Sequence, residues 1–195
     1  FIRDTLMTNF VKLVEKRDTH RPGLPERKKF FVMHCEDTLD ILYDHPCIVY
    51  YTIFNEGWGQ FDSDRIYTLL KQKDPTRIYD STSGWFAQEK SDVLSLHVYY
   101  QKITIPKSVK PIVLSECGGY SCKIPGHSYS IHNNYGYGNA AGIKGYGKSV
   151  RNIYTKEILP LITEGLCASV YTQLSDVEDE TNGFLTYDRK VCKIR

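Results

Sequence analysis

Residues 50–60 read "YYTIFNEGWGQ". With the three residues before Tyr50 it forms one β-branched and aromatic run, "CIVYYTIF" (47–54), that stops at Asn55-Glu56. A Gly-Trp-Gly turn follows. An almost wholly apolar run of this length has the pattern of a parallel strand covered on both faces. Such a strand, running into a carboxylate and then turning, carries that carboxylate at its C-terminal end. In a barrel of parallel strands those ends converge on one mouth.

The rest of the chain repeats the alternation. Residues 28–44, "KKFFVMHCEDTLDILYD", space Phe31, Val32, Cys35, Leu39 and Leu42 along one helical face, which should end before Pro46. "DSDRIYTLLKQK" (62–73) predicts a helix with Asp62 as N-cap. "RIYDST" (77–82), "DVLSLHVY" (92–99), "PIVLSEC" (111–117) and "CASVYTQLS" (167–175) predict four more strands, and 149–164 a helix that tolerates Pro160. Strands separated by helices or long loops predict a parallel α/β fold, taken here as a single domain over 1–195.

The 195 residues carry a net charge of +2, so no basic field argues for nucleic acid or an anionic membrane as partner. No apolar run approaches the ~20 residues of a membrane span. The six cysteines are scattered rather than patterned, and a disulfide framework is not expected in a chain of this size. Cys47 and Cys167 lie in apolar contexts and are expected to be buried thiols.

Two glutamates end predicted strands, Glu56 and Glu116. Glycosidic bond cleavage needs two carboxyl groups flanking the bond, one protonated and one ionised. Strand-end glutamates also serve structural ion pairs and metal sites, so spacing alone leaves those readings open. Cys117, Cys122, His127 and His132 offer zinc-ligand types, but their spacing fits a structural zinc site poorly. "GYGNAAGIKGYG" (136–147) lacks the ending of a phosphate loop and is expected to be a mobile loop over the mouth. Tyr129, Tyr135, Tyr137 and Tyr146 suit contacts with carbohydrate. The acidic run Asp176, Glu178, Asp179 and Glu180 reads as a solvated loop or hydrogen-bonding rim.

"NEGWGQFD" (55–62), "SGWF" (83–86), "HVYY" (97–100), "VLSECGGY" (113–120) and "YTQLSDVEDETNGFLTYDRKV" (171–191) together resemble glycoside hydrolase family 2. The resemblance is to its catalytic (β/α)8 TIM-barrel domain, as in β-galactosidases and β-glucuronidases, and runs in order from about residue 28 to the C-terminus. It implies a retaining β-glycosidase acting on a terminal β-galactoside or a related sugar. Glu56 matches the acid/base and Glu116 the nucleophile. Asn55 matches the residue that binds the sugar 2-hydroxyl, and Tyr99 the tyrosine beside the nucleophile. His97, His127 and Gln173 would line the pocket, with Trp58 and Trp85 as either flat sugar platforms or core residues. His97 equally suits a satisfied core position.

Only five of the eight barrel strands are visible, so the chain resembles strands four to eight of the barrel. The N-terminal domains of the same enzyme would then be absent from this chain, and open edges would favour self-association. The family's strand-eight tryptophan has no counterpart here, which leaves the sugar open. The resemblance implies no cofactor, and no metal ligands of the magnesium-dependent β-galactosidases are identifiable. The competing expectation is a carbohydrate-binding or assembly module that keeps the pocket without turnover.

Overall fold

The computed structural model describes residues 24–57 and 59–194. The readings of Trp58 and of residues 1–23 lie outside the described residues. These residues divide into two compact units, one of residues up to Leu96 with Val109–Pro111, the other of His97–Ser108 and the residues from Ile112 on.

The first unit begins with helix α1 (Pro25–Leu42), with Pro25 in its first turn, where a missing N–H costs nothing. Strand β1 (Tyr50–Asn55), helix α2 (Ser63–Lys73) and strand β2 (Ile78–Ser83) follow. β1 and β2 are parallel, in register from Tyr50↔Ile78 to Asn55↔Ser83, and α2 lies in the crossover that parallel strands require. Leu39, Phe54, Phe61, Ile66, Leu70 and Tyr79 form the core. Phe31 stacks on Phe54 at 5.1 Å, and Phe61 meets Phe54 edge-on at 5.5 Å.

Two expectations fail here. β1 is not covered on both faces: Phe54 is buried, but Thr52 and Asn55 are exposed. Among the described residues β1 pairs only with β2, so much of its surface meets no neighbour. Cys47, just ahead of it, is exposed for the same reason. Asp62 is the N-cap residue of α2, as expected, in a left-handed conformation, φ 43°, though its side chain makes no cap bond. Its carbonyl instead accepts the N–H of Ile66 at 3.0 Å.

Strand β3 (Leu94–Val98) crosses the boundary, and its last two residues open the second unit. There β4 (Ile112–Gly118) pairs in parallel with β7 (Leu166–Thr172), in the order β3-β4-β7. Short β5 (Tyr120–Ser121) and β6 (Gly138–Asn139) pair beside them. Helix α3 (Gly142–Asn152) continues through a π turn (Ile153–Ile158), a single α turn (Leu159–Leu161) and a 3-10 turn (Ile162–Glu164). The ladder changes spacing around Pro160, which cannot donate the N–H an α-helix needs.

The helical region therefore reaches back into the glycine-rich stretch expected to be a mobile loop. Ile143, Tyr146 and Val150 fall on one face and pack with Cys122 and Tyr171. That burial outweighs the roughly 1 kcal/mol that each helical glycine costs. Tyr146 is wholly buried and donates to the Asn182 carbonyl at 2.9 Å, so it is a core residue and not a sugar contact. Cys167 is exposed, against expectation, because β7 is the last strand of its sheet among the described residues. No described helix is long and apolar enough to cross a membrane.

Candidate active site

Glu116 lies near the C-terminal end of β4, at a break in register. From Leu114 to Cys117 the strand advances three residues while its partner β7 advances two, from Ser169 to Tyr171. One extra residue is a β-bulge, a device that re-aims a side chain. The Glu116 carboxylate accepts the Tyr99 hydroxyl at 2.6 Å through Oε2. The same oxygen lies 3.4 Å from Nδ1 of His97, whose side chain is fully buried at the end of β3.

The direction of these bonds follows from the donors available. Tyr99 has one hydroxyl proton and gives it to the carboxylate. Its contact with Thr172 Oγ1, 2.7 Å away at the end of β7, must then be a bond donated by the threonine. Burial, and next the hydrogen bond to Glu116, push the Tyr99 phenol well above its ordinary range. Tyr99 therefore remains a donor at every physiological pH. The Tyr99 ring stacks on Tyr137 at 3.6 Å, which fixes the angle of the hydroxyl.

In the first unit, Glu56 follows β1 directly. It is half-buried, takes a left-handed φ of 52°, and donates its N–H to the Ser83 carbonyl at 2.9 Å. The β1–β2 ladder thus continues one residue past Asn55 before the chain turns. Gly57, also left-handed at φ 74°, sits where a Cβ would lie 2.5 Å from the Phe86 ring. This is the physical content of the Glu-Gly step: the strand must turn sharply under a buried aromatic. Asn55 is exposed, and Trp85 is 42% exposed on the loop after β2.

Asp80, on β2, is buried and accepts the Tyr50 hydroxyl at 3.0 Å. Burial raises its carboxyl, against hydrogen bonds from Ser95, Tyr50, Ser83 and the Thr82 N–H that lower it.

The remaining predicted residues are engaged in the protein's own bonds. His127 Nδ1 is 2.8 Å from Asp188 Oδ2. The His127 bond and a second from Thr186 hold the Asp188 carboxyl well below the usual range. Gln173, in the cis peptide after Thr172, donates to Glu180 at 3.0 Å and Asn182 at 2.9 Å. The zinc-ligand types do not gather: Cys117 Sγ donates to the Val170 carbonyl, and Cys122 lies in the core. The acidic run is split. Asp176 is buried against Lys193 at 2.7 Å, whereas Glu178 is exposed. Thr172 was missed by sequence reading; its only signal is its place at the end of a strand facing Tyr99.

No protein-family model matches the chain, and no curated protein does. Solved structures do. Over 87% of its length the chain is similar to Bacteroides uniformis β-glucuronidase 2, in a structure covalently bound to cyclophellitol-6-carboxylate aziridine (TM-score 0.61, 15% identity). Over 84% it is similar to an FMN-binding β-glucuronidase of Faecalibacterium prausnitzii L2-6 (TM-score 0.57, 16% identity). A further β-glucuronidase of Bacteroides uniformis gives a TM-score of 0.57 over 87% at 14% identity. The mixed α/β fold is shared with solved glycosidases. It spans only 25%, 30% and 25% of those three chains, so their whole-protein activities do not transfer with the fold.

Proposed function

We propose that the chain is part of the catalytic domain of a retaining β-glycosidase, corresponding to strands four to eight of a (β/α)8 barrel. The observation that carries this reading is the Glu116 carboxylate at a strand end, receiving a 2.6 Å bond from Tyr99. Similarity of fold to β-glucuronidases supports it.

In this reading Glu116 attacks the anomeric carbon, and Glu56 gives its proton to the leaving oxygen. The resulting glycosyl ester is hydrolysed by water that Glu56, now ionised, deprotonates. Asn55 binds the sugar 2-hydroxyl, His97 holds the pocket wall behind Glu116, and Trp85, His127 and Gln173 line the sugar. The substrate is a terminal β-galactoside or a related sugar such as a glucuronide. No cofactor or metal takes part in this scheme.

The test is hydrolysis of a panel of 4-nitrophenyl β-glycosides, with the product anomer followed by proton NMR. The β-anomer should form first, and Glu116→Gln should abolish turnover. Glu56→Ala should slow substrates with poor leaving groups far more than activated ones, and azide should rescue it. Inversion, or turnover that survives Glu116→Gln, overturns the reading. Calorimetric sugar binding without any turnover would favour a carbohydrate-binding module instead.

A further inference from the structure

Four tyrosines of the second unit form one array beside Glu116. Tyr99, which bonds the carboxylate, stacks on Tyr137 at 3.6 Å. Tyr137 is met edge-on by Tyr100 and by Tyr135, each at 5.5 Å between ring centres. The Tyr100 and Tyr135 hydroxyls touch at 3.3 Å. The array runs from the carboxylate outward, since Tyr100 is 76% and Tyr135 46% exposed.

Packing alone does not account for Tyr100. A tyrosine kept for the core would be covered, because covering the ring is where its stabilisation lies. Tyr100 is instead mostly wet. It also takes φ 60°, an unfavourable conformation for a residue with a Cβ. Directly after Tyr99, that backbone turn is what sets its ring against Tyr137. Tyr137 itself fits because Gly119 leaves room for it: a Cβ there would lie 2.5 Å from the ring.

The geometry points to Tyr100 and Tyr135 as a platform for a second pyranose ring, linked to the sugar held at Glu116. This rests on the reading of Glu116 as a pocket carboxylate. Two exposed rings give an apolar surface for the C–H face of a sugar. The two phenol hydroxyls at their edge, one donating to the other, offer oxygens that can accept from sugar hydroxyls. An alkyl group would use only the first property, a pyranose both. The substrate class is therefore a β-linked disaccharide or longer oligosaccharide.

The experiment is calorimetric titration of the 195-residue chain with hydrolysis-resistant S-linked lactose and cellobiose, with methyl β-galactoside and β-glucoside, and with 4-nitrophenyl thioglycosides. A disaccharide should bind more tightly than its monosaccharide. Tyr100→Ala combined with Tyr135→Ala should remove that advantage, a loss of about 3- to 10-fold for rings of this kind. Methyl glycoside binding should not change, and Tyr100→Phe should retain part of the advantage. No binding of either disaccharide, an equal loss for mono- and disaccharide, or a larger loss for the aryl thioglycosides than for the disaccharides each overturns the platform. The catalytic reading fails separately: disaccharide binding that depends on both tyrosines, without turnover of any glycoside, removes catalysis and leaves the platform standing.

Discussion

At the scale of single residues, the bond between Tyr99 and Glu116 makes the sharpest demand. Tyr99→Phe keeps the ring on Tyr137 and removes only the donor. A hydrogen bond to a charged group is worth roughly 1.5–3 kcal/mol, so kcat/KM on activated aryl glycosides should fall roughly 10- to 100-fold. A change of less than about 2-fold would mean that the bond is not used in the reaction. Asp80 gives a pH prediction of definite sign. Its carboxyl is raised by burial, so the native state holds a proton that the unfolded chain releases near pH ~3.9. That contribution is complete below the unfolded value and is lost as pH rises through the folded one. Urea unfolding followed by tryptophan fluorescence should show stability falling over that window in the native sequence. Asp80→Asn should flatten the slope; an unchanged slope would remove Asp80 as its source.

At the scale of elements, all five predicted strands form, each within three residues of where apolar patterning puts it. The apolar run "CIVYYTIF" was legible as a strand, but its burial was not, because burial depends on what lies alongside. Cys47 and Cys167 failed for that reason. The glycine-rich helix start failed for another: glycine propensity is a weak prior that one buried tyrosine, Tyr146, can override. Of the candidate site, the places of Glu116, Tyr99 and His97 near strand ends were legible in the sequence, whereas their mutual contacts, Thr172 and the tyrosine array needed three dimensions. Lys193 was also invisible, since a lysine near a chain end reads as solvated. Its ammonium is fully buried and spends all three protons, on Asp176 at 2.7 Å, Thr181 O at 2.9 Å and Cys122 O at 3.0 Å. Lys193→Met should destabilise the second unit by about 3–5 kcal/mol, because it strands a buried carboxylate. Adding Asp176→Leu should recover much of the loss. A single variant as stable as the native chain, measured by urea unfolding, would show that the pair is not formed in solution.

At the scale of the whole molecule, the question is what the strand edges do in solution. Among the described residues β7 pairs with β4 on one side only, and β1 with β2 on one side only. β7 exposes Cys167, Ala168 and Val170, the last at 55%, and bears no charge along its length. An edge that is apolar, uncharged and without proline offers unpaired backbone groups to another strand. We therefore propose that the 195-residue chain self-associates through β7. Light scattering should show dimers or larger species whose mass rises with concentration. Added salt should not dissolve them, because the contact is apolar and backbone-mediated and is not ionic. Val170→Lys puts a charge on the exposed position of that edge without disturbing Tyr171, which faces the core. It should shift the population toward monomer, whereas Lys at Ile41, 72% exposed on α1 in the other unit, should not. A monodisperse native chain at all concentrations, or equal effects of the two lysines, would show that β7 is not the associating edge.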